Sequence, residues 1–142
     1  MRYMLDTDIC IYILKHKPNV LAAFTAKQKE GLAISSVTFG ELECGLQKSN
    51  NYAGGKSKFL KLLANVEILP FDDAAAECYG KVRAELERKG TPIGPLDTQI
   101  AAHAKALGLI IVTNNVREFG RVEGLELENW AEDGANKDDL MS

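Results

Sequence analysis

Short apolar runs alternate with longer segments of helical periodicity along this chain, and this alternation restricts the fold more than any other feature. Leu109–Thr113 is the clearest apolar run, and its largely continuous apolar character is typical of a parallel strand buried on both faces. Parallel neighbours need long crossover connections, which helices commonly supply. We therefore predict an α/β fold, an α/β/α sandwich with a central parallel sheet of about five strands.

The spacing of the apolar residues places the individual elements. The predicted strands are Arg2–Leu5, Leu32–Ile34, Glu67–Phe71, Leu109–Thr113 and Leu125–Leu127. The predicted helices are Asp8–Lys17, a segment from Ser35 or Ser36 to about Lys48, Phe59–Val66, Asp73–Lys89 and a segment from Asp97 to Leu107. Interruptions are predicted at Pro18, Asn50–Gly55 and Gly90–Pro95, because proline and glycine commonly end regular structure.

Length and charge set the domain organisation. The chain has 142 residues, about the length of one domain, and a formal net charge of −3 at pH 7. A negative chain is at first sight a poor partner for a polyanion. However, residues 126–142 hold six acidic residues and a single lysine, and the residues before them are mildly basic. We predict one domain over 1–130 and an acidic, flexible tail over 131–142.

The cysteines and the longest apolar stretches indicate the compartment. Cys10, Cys44 and Cys78 are odd in number and widely spaced, which fits neither a disulfide framework nor a zinc site. We expect them to be buried in a protein of the reducing cytoplasm. No apolar stretch approaches the roughly 20 residues that span a bilayer, so we predict no membrane span and no signal peptide.

Acidic residues follow the ends of the predicted strands. Asp6 and Asp8 come directly after the first strand, Glu41 lies in the helix after the second, and Asp97 opens the helix before the fourth. The carboxyl ends of parallel strands form the usual ligand-binding edge of an open sheet. Taken singly, each carboxylate also has a structural interpretation, as a helix N-cap for the aspartates and as one end of a salt bridge for Glu41.

Glu41 is the hardest of these carboxylates to explain structurally. On a helical wheel it lies among small residues that can pack, and none of its neighbours three or four positions away is basic. A carboxylate removed from water needs a cation or several donors. Several carboxylates without a cysteine or histidine cluster suit Mg²⁺ or Mn²⁺. His16 and His103 lack metal-ligand spacing and are predicted to be structural or surface residues.

Several segments between about residues 3 and 130 resemble one known family in their order and spacing. They are Met4–Ile9, Ile34–Leu42, Arg83–Leu86, Pro92–Ala101, Ile111–Asn115 and Arg117–Phe119. On these motifs the chain resembles the PIN-domain ribonucleases, and more narrowly the VapC-type toxins of type II toxin–antitoxin systems. The resemblance implies a PIN-like fold and endonucleolytic cleavage of RNA.

The resemblance also implies roles for particular residues. The first three acidic positions of the family fall on Asp6, Glu41 and Asp97, which are expected to hold Mg²⁺, or Mn²⁺ in its place. The fourth falls on Asn115, where many relatives carry aspartate, so this position brings no charge. Asp8, Thr113 and Asn115 are expected to orient the attacking water or the shell of the ion.

Partners follow from the same resemblance. Relatives of this type are usually homodimers that are neutralised by a VapB-type antitoxin, whose C-terminal segment covers the active-site groove. The expected substrate is structured RNA, with tRNA favoured, and its cleavage is expected to inhibit translation. We expect no association with a membrane.

Two alternatives stay open from the sequence alone. Asp6 and Asp8 after the first strand also resemble the acidic pair of haloacid-dehalogenase-type phosphatases. That chemistry needs an acidic pair after a late strand, where this chain has Asn114 and Asn115. The other alternative is a non-catalytic PIN-like module that only binds RNA or protein.

Overall fold

A five-stranded parallel sheet forms the centre of the protein. The computed structural model describes residues 1–131, so the predicted tail lies outside the described residues apart from its first position. The strands are β1 (Tyr3–Leu5), β2 (Leu32–Ser35), β3 (Glu67–Leu69), β4 (Ile110–Val112) and β5 (Leu127–Glu128), arranged in the order β3-β2-β1-β4-β5. All four neighbouring pairs are parallel, which confirms the predicted fold class.

Helices connect the strands and cover both faces of the sheet. They are α1 (Thr7–Leu14), α2 (Pro18–Lys27), α3 (Ser36–Gln47), α4 (Tyr52–Leu63), α5 (Asp73–Arg88), α6 (Pro95–Leu107) and α7 (Val116–Phe119), with a 3₁₀ turn at Gln28–Glu30. Side chains of Ser35, Asn51 and Asp72 accept hydrogen bonds from backbone N–H groups at the starts of α3, α4 and α5.

The alternation of side chains along the strands divides the core into two parts. Tyr3 and Leu5 of β1 pack with buried residues of α1, α2, α3 and α4, whereas Met4 packs with buried residues of α5, α6 and α7. Ile111 of β4 likewise faces the opposite side from Ile110. Successive side chains of a strand point to opposite faces, so α1 to α4 form one layer and α5 to α7 the other.

Several boundaries differ from the sequence prediction because a residue that breaks one helix can begin another. Pro18 was expected to end a helix, but it is the first residue of α2, where its fixed φ and missing N–H carry no penalty. Asn51 lies in a predicted break, yet its Oδ1 accepts from the N–H of Gly54 at 3.1 Å and caps α4. Pro95 begins α6, which places Asp97 within the first turn.

Two smaller expectations are also corrected. Cys10 is buried as predicted, but Cys44 on α3 is exposed, and Cys78 on α5 is only partly buried at the edge of the core that holds Met4. The short helix α7 was not predicted, and β5 begins two residues later than expected. In residues 1–131, no helix is long and apolar enough to span a membrane.

The order of the strands changes direction at the centre of the sheet, between β1 and β4. From β1 the chain proceeds through β2 to β3 on one side, and then returns to β4 and β5 on the other. Such a reversal leaves a crevice beyond the carboxyl ends of the two strands at which the order switches, here β1 and β4. The Asp6 N–H donates to the Val112 carbonyl oxygen at 3.0 Å, so the residues that follow both strands meet at this crevice.

Candidate active site

Asp6 lies at the carboxyl end of the central strand and is 2% exposed. Its Oδ1 accepts a hydrogen bond from the Ile9 N–H at 2.9 Å, so the side chain is the N-cap of α1 and the structural interpretation of this residue is confirmed. Burial raises the pKa of Asp6 to about 7, because desolvation disfavours the charged form. A hydrogen bond from Thr113 opposes the shift, and the charges of Asp8 and Asp97 add to it.

Asp97 is partly buried in the first turn of α6 and faces several other carboxylates. Desolvation is the largest cause that raises its pKa to about 6, and the charges of Asp8, Glu118 and Glu41 raise it further. A hydrogen bond with the Asn115 side chain acts in the opposite direction. The pKa of Asp97 is therefore raised first by burial and then by a crowded set of neighbouring negative charges.

Glu41 lies in the second turn of α3, and a hydroxyl group from α1 holds it. The Thr7 hydroxyl group lies 2.5 Å from Glu41 Oε1, to which it donates, and its oxygen lies 3.3 Å from Thr38 Oγ1. Thr38 is fully buried, so it gives this small network a rigid base. The sequence prediction that Glu41 points toward packed surface agrees with its partly buried position.

The segment after β4 supplies polar groups to both aspartates. Thr113 is fully buried, its Oγ1 accepts from the Asn115 N–H at 2.9 Å, and its hydroxyl group hydrogen-bonds with Asp6. Asn115 in turn hydrogen-bonds with Asp97. Thr113 and Asn115, two of the three residues that the resemblance assigned to orientation, therefore contact the two aspartates with raised pKa values.

The structure thus brings all six predicted site residues to the same end of the sheet. Among the described residues, no lysine or arginine forms an ion pair with Asp6, Asp8, Glu41 or Asp97. Glu43 on the same helix is different, because Lys56 Nζ lies 2.6 Å from its Oε1 and hydrogen bonds from Lys56, Gln47 and Tyr52 lower the pKa of Glu43 to about 2. The carboxylates of the site lack such compensation.

The carboxylates lie near one another without forming a finished ligand set. Within residues 1–131, no three carboxylate, imidazole or thiol groups are already arranged to hold a metal ion. Thr7 holds one oxygen of Glu41, which leaves the other oxygen of this carboxylate for an ion. The available donors are oxygen atoms, which suits a hard cation such as Mg²⁺. The assignment of Asp6, Glu41 and Asp97 as metal ligands stays a prediction.

Two residues of the site were not singled out from the sequence. Thr7 contacts Glu41, and Glu118 in α7 is close enough to raise the pKa of Asp97. Asn115 and Glu118 have the spacing of a capping box, with a small polar residue three positions before a glutamate. That signal predicts a helix start after β4 and could have identified Glu118.

The two histidines lie where the sequence prediction placed them, in structural and surface positions. His103 is 2% exposed, and its Nδ1 lies 2.9 Å from Ser35 Oγ. His16 is exposed, with a φ of 58° in the left-handed region.

The raised pKa of Asp6 predicts how stability depends on pH when no divalent cation is bound. The carboxyl group ionises near 3.8 in the unfolded chain and near 7 in the folded protein. The folded state therefore retains a proton that the unfolded chain has released, and this stabilisation is lost as the pH rises through about 7. Asp6→Asn keeps an N-cap residue but removes the titration.

We expect the unfolding free energy of the wild type, relative to Asp6→Asn, to fall by roughly 2–4 kcal/mol between pH 4 and pH 8 in EDTA. Urea unfolding of both proteins at a series of pH values measures this difference, because all other titrating groups are common to the pair. A difference that stays constant over this range would contradict the buried position of the Asp6 carboxylate.

Comparison with known proteins agrees with this architecture. Residues 3–125 match the model of the PIN domain family. The chain is 46% identical over 132 residues to the tRNA(fMet)-specific endonuclease VapC of Shigella flexneri, covering 92% of this chain and 99% of that protein. It is 41% identical over 130 residues to the protein of the same name from Salmonella typhimurium, covering 92% and 98%.

Solved structures show the same similarity. The crystal structure of VapBC2 from Rickettsia felis bound to a DNA fragment from their promoter matches with a TM-score of 0.87 and 41% identity, over 92% of this chain and 99% of that chain. DNA-bound VapBC from Salmonella typhimurium matches with a TM-score of 0.87 and 41% identity, over 92% and 98%. The chain therefore belongs to the PIN domain family and, within it, to the VapC proteins.

Proposed function

We propose that this protein is the toxin of a type II toxin–antitoxin system, a magnesium-dependent endoribonuclease that cleaves structured RNA in the cytoplasm, with tRNA favoured. The observation that carries the proposal is the group of carboxylates around Asp6 and Asp97, whose pKa values are raised and whose charges no ion pair in residues 1–131 compensates. The names of the two VapC relatives, both tRNA(fMet)-specific endonucleases, support RNA as the substrate.

Asp6, Glu41 and Asp97 are the residues proposed to hold the ion. Asp8 and Glu118 add negative charge close to Asp97, so Glu118 supplies the charge that Asn115 does not. When bound, Mg²⁺ neutralises charge on the phosphate and lowers the pKa of a water molecule. Oxygen donors without nearby thiols or imidazoles favour Mg²⁺ or Mn²⁺ over zinc.

The uncharged residues of the site fix the positions of the carboxylates. Thr113 donates to Asp6, Asn115 hydrogen-bonds with Asp97, and Thr7 donates to Glu41. The hydrogen bonds to Asp6 and Asp97 favour the ionised forms of these carboxylates, and each of the three hydrogen bonds restricts the rotation of its carboxylate. Such restriction matters because a displacement of about 1 Å from the reactive geometry costs on the order of 100-fold in rate. In-line attack of the water molecule on the phosphorus leaves a 5′-phosphate and a 3′-hydroxyl.

Of the two alternatives, the phosphatase lacks support. Membership of the PIN domain family and two asparagines directly after Thr113 both disfavour it. A non-catalytic PIN-like module would share the fold, so only an assay of cleavage separates it from a nuclease.

Asp97→Asn tests the proposed activity. We expect the variant to cleave a structured RNA such as tRNA more than about 100-fold more slowly than the wild type, because loss of a direct ligand exceeds the 10–100-fold cost of losing an outer contact. Gel analysis of end-labelled RNA measures the rate, and circular dichroism confirms folding. EDTA is expected to stop the wild-type reaction.

Asp73→Asn is the matched control, since Asp73 is an exposed aspartate in the first turn of α5. It should cleave at the wild-type rate. Equal rates for folded Asp97→Asn and the wild type would overturn the site assignment, and a wild type that binds RNA without cleaving it would favour the non-catalytic module.

The proposed partner is a VapB-type antitoxin. A small apolar groove between α1, α3 and α4 is lined by Ile11, Leu14, Leu46 and Phe59 and borders on Glu41. A peptide that places apolar side chains in this groove can bring a cation to the carboxylates, which combines helix-groove packing with charge compensation. The solved VapBC structures of similar proteins support a partner of this kind.

Size-exclusion chromatography with light scattering tests the partner and the proposed homodimer together. The protein alone is expected to elute as a dimer, and mixing with a VapB-type protein is expected to give a heavier complex that Leu46→Glu weakens. A single monomeric peak that the antitoxin does not shift would contradict both assignments.

A further inference from the structure

A buried hydrogen bond joins the two helices that carry Glu41 and Asp97. Ser35 at the end of β2 is fully buried, His103 in α6 is 2% exposed, and Ser35 Oγ lies 2.9 Å from His103 Nδ1. Ser35 is also the N-cap of α3, where its Oγ accepts from the Val37 N–H at 3.0 Å. One serine side chain therefore connects the start of α3 to α6.

The alternation of side chains along β2 explains why Ser35 reaches α6. Ile34 of β2 packs in the core shared with α1 to α4, so the next side chain, Ser35, points to the opposite face of the sheet, where α6 lies. α3 belongs to the first layer, through Leu42, and α6 to the second, through Ile100. The bond between Ser35 and His103 thus joins the two helical layers at the end of the sheet that carries the site.

Either tautomer of a neutral imidazole satisfies this contact. Ser35 Oγ accepts from a backbone N–H, and it can donate its single proton to His103 Nδ1 or accept a second proton from it. This arrangement uses the neutral imidazole. Burial lowers the pKa of His103, which agrees with a neutral ring, and the charge of Asp72 opposes the shift.

A second contact to the His103 ring comes from Phe71, in the segment before α5. The Phe71 ring packs edge-on against His103, with centroids 5.4 Å apart and an interplanar angle of 88°. The Phe71 N–H donates to Ser36 Oγ at 2.9 Å. The first residues of α3, the segment before α5 and the middle of α6 therefore form one connected unit.

The spacing along both helices relates this unit to the site. Glu41 follows Ser35 by six residues and Asp97 precedes His103 by six, so each carboxylate lies about 9 Å along a rigid helix from the hydrogen bond. The two helices also contact each other directly. The contact between Ser35 and His103 therefore lies between the helical segments that lead to Glu41 and to Asp97.

We propose that His103 is a positioning residue, which acts through Ser35 to set the placement of Glu41 relative to Asp97 and thereby the affinity of the site for its divalent cation. The inference rests on the proposed function, because it assigns a purpose to the spacing between two proposed ligands. His103 does not contact the reacting atoms, and its effect is transmitted by the two helices.

Manganese binding followed by electron paramagnetic resonance of the free ion tests this proposal without relying on activity. His103→Leu removes the ring nitrogen that bonds to Ser35, and His103→Asn restores a polar side-chain amide near the position of Nδ1, which can accept or donate. We expect the Kd for Mn²⁺ to rise about 10-fold in the leucine variant, as for other losses of outer support, and to return to within about 3-fold of wild type with asparagine. In cleavage assays kcat should fall at limiting Mg²⁺ while the KM for RNA stays unchanged.

Val20→Ala is the matched control for a change in the core, since Val20 is fully buried in α2 in the other layer. It should bind Mn²⁺ as the wild type does. If His103→Leu does not fold, Ser35→Gly removes the same hydrogen bond at little cost to the cap and should raise the Kd similarly.

The outcomes separate the two hypotheses. Wild-type binding together with unchanged Kd values in folded His103→Leu or Ser35→Gly would overturn the positioning role alone. Equal weakening by the leucine and asparagine variants, or by Val20→Ala, would also overturn it, because packing would then explain the effect. A wild type that binds no Mn²⁺ would overturn the proposed function and this inference together.

Discussion

The arrangement of the site depends on one unfavourable interaction, a carboxylate taken out of water at the end of the central strand. Asp6 is buried, it caps α1, and no ion pair within residues 1–131 compensates it. A desolvated carboxylate in that position either holds a proton or faces a cation. The raised pKa of Asp6 describes the first state, and the nearby charges of Asp8 and Asp97, with Glu41 beside Asp97, prepare the second.

The parallel sheet places these groups together although they are far apart in sequence. Because the strand order reverses at β1 and β4, Asp6 and Thr113 lie side by side, and α3 and α6 bring Glu41 and Asp97 from opposite faces of the sheet. Packing of two separate cores fixes these elements, while hydrogen bonds from hydroxyl and amide groups fix the side chains. The unfavourable charge repulsion at the site is therefore offset by favourable packing elsewhere in the fold, as is common for functional sites.

Much of this arrangement could be predicted from the sequence, because buried strands have a strong apolar signal and the acidic residues follow them directly. Boundaries controlled by single turns were harder, since Pro18 and Asn51 begin helices where interruptions were expected. Contacts between distant elements carry no local signal. The support of Glu41 by Thr7 and the bond between Ser35 and His103 depend on how helices from different parts of the chain meet.

Isothermal titration calorimetry of Mg²⁺ binding in two buffers with different ionisation enthalpies, at about pH 7, tests the central claim most directly. A cation that binds beside Asp6 must displace the proton that the carboxyl group partly retains at this pH. The account predicts saturable binding with release of a fraction of a proton, and a smaller release in Asp6→Asn, where only Asp97 still retains part of a proton. Absence of binding, or binding with the same proton release in both proteins, would contradict it.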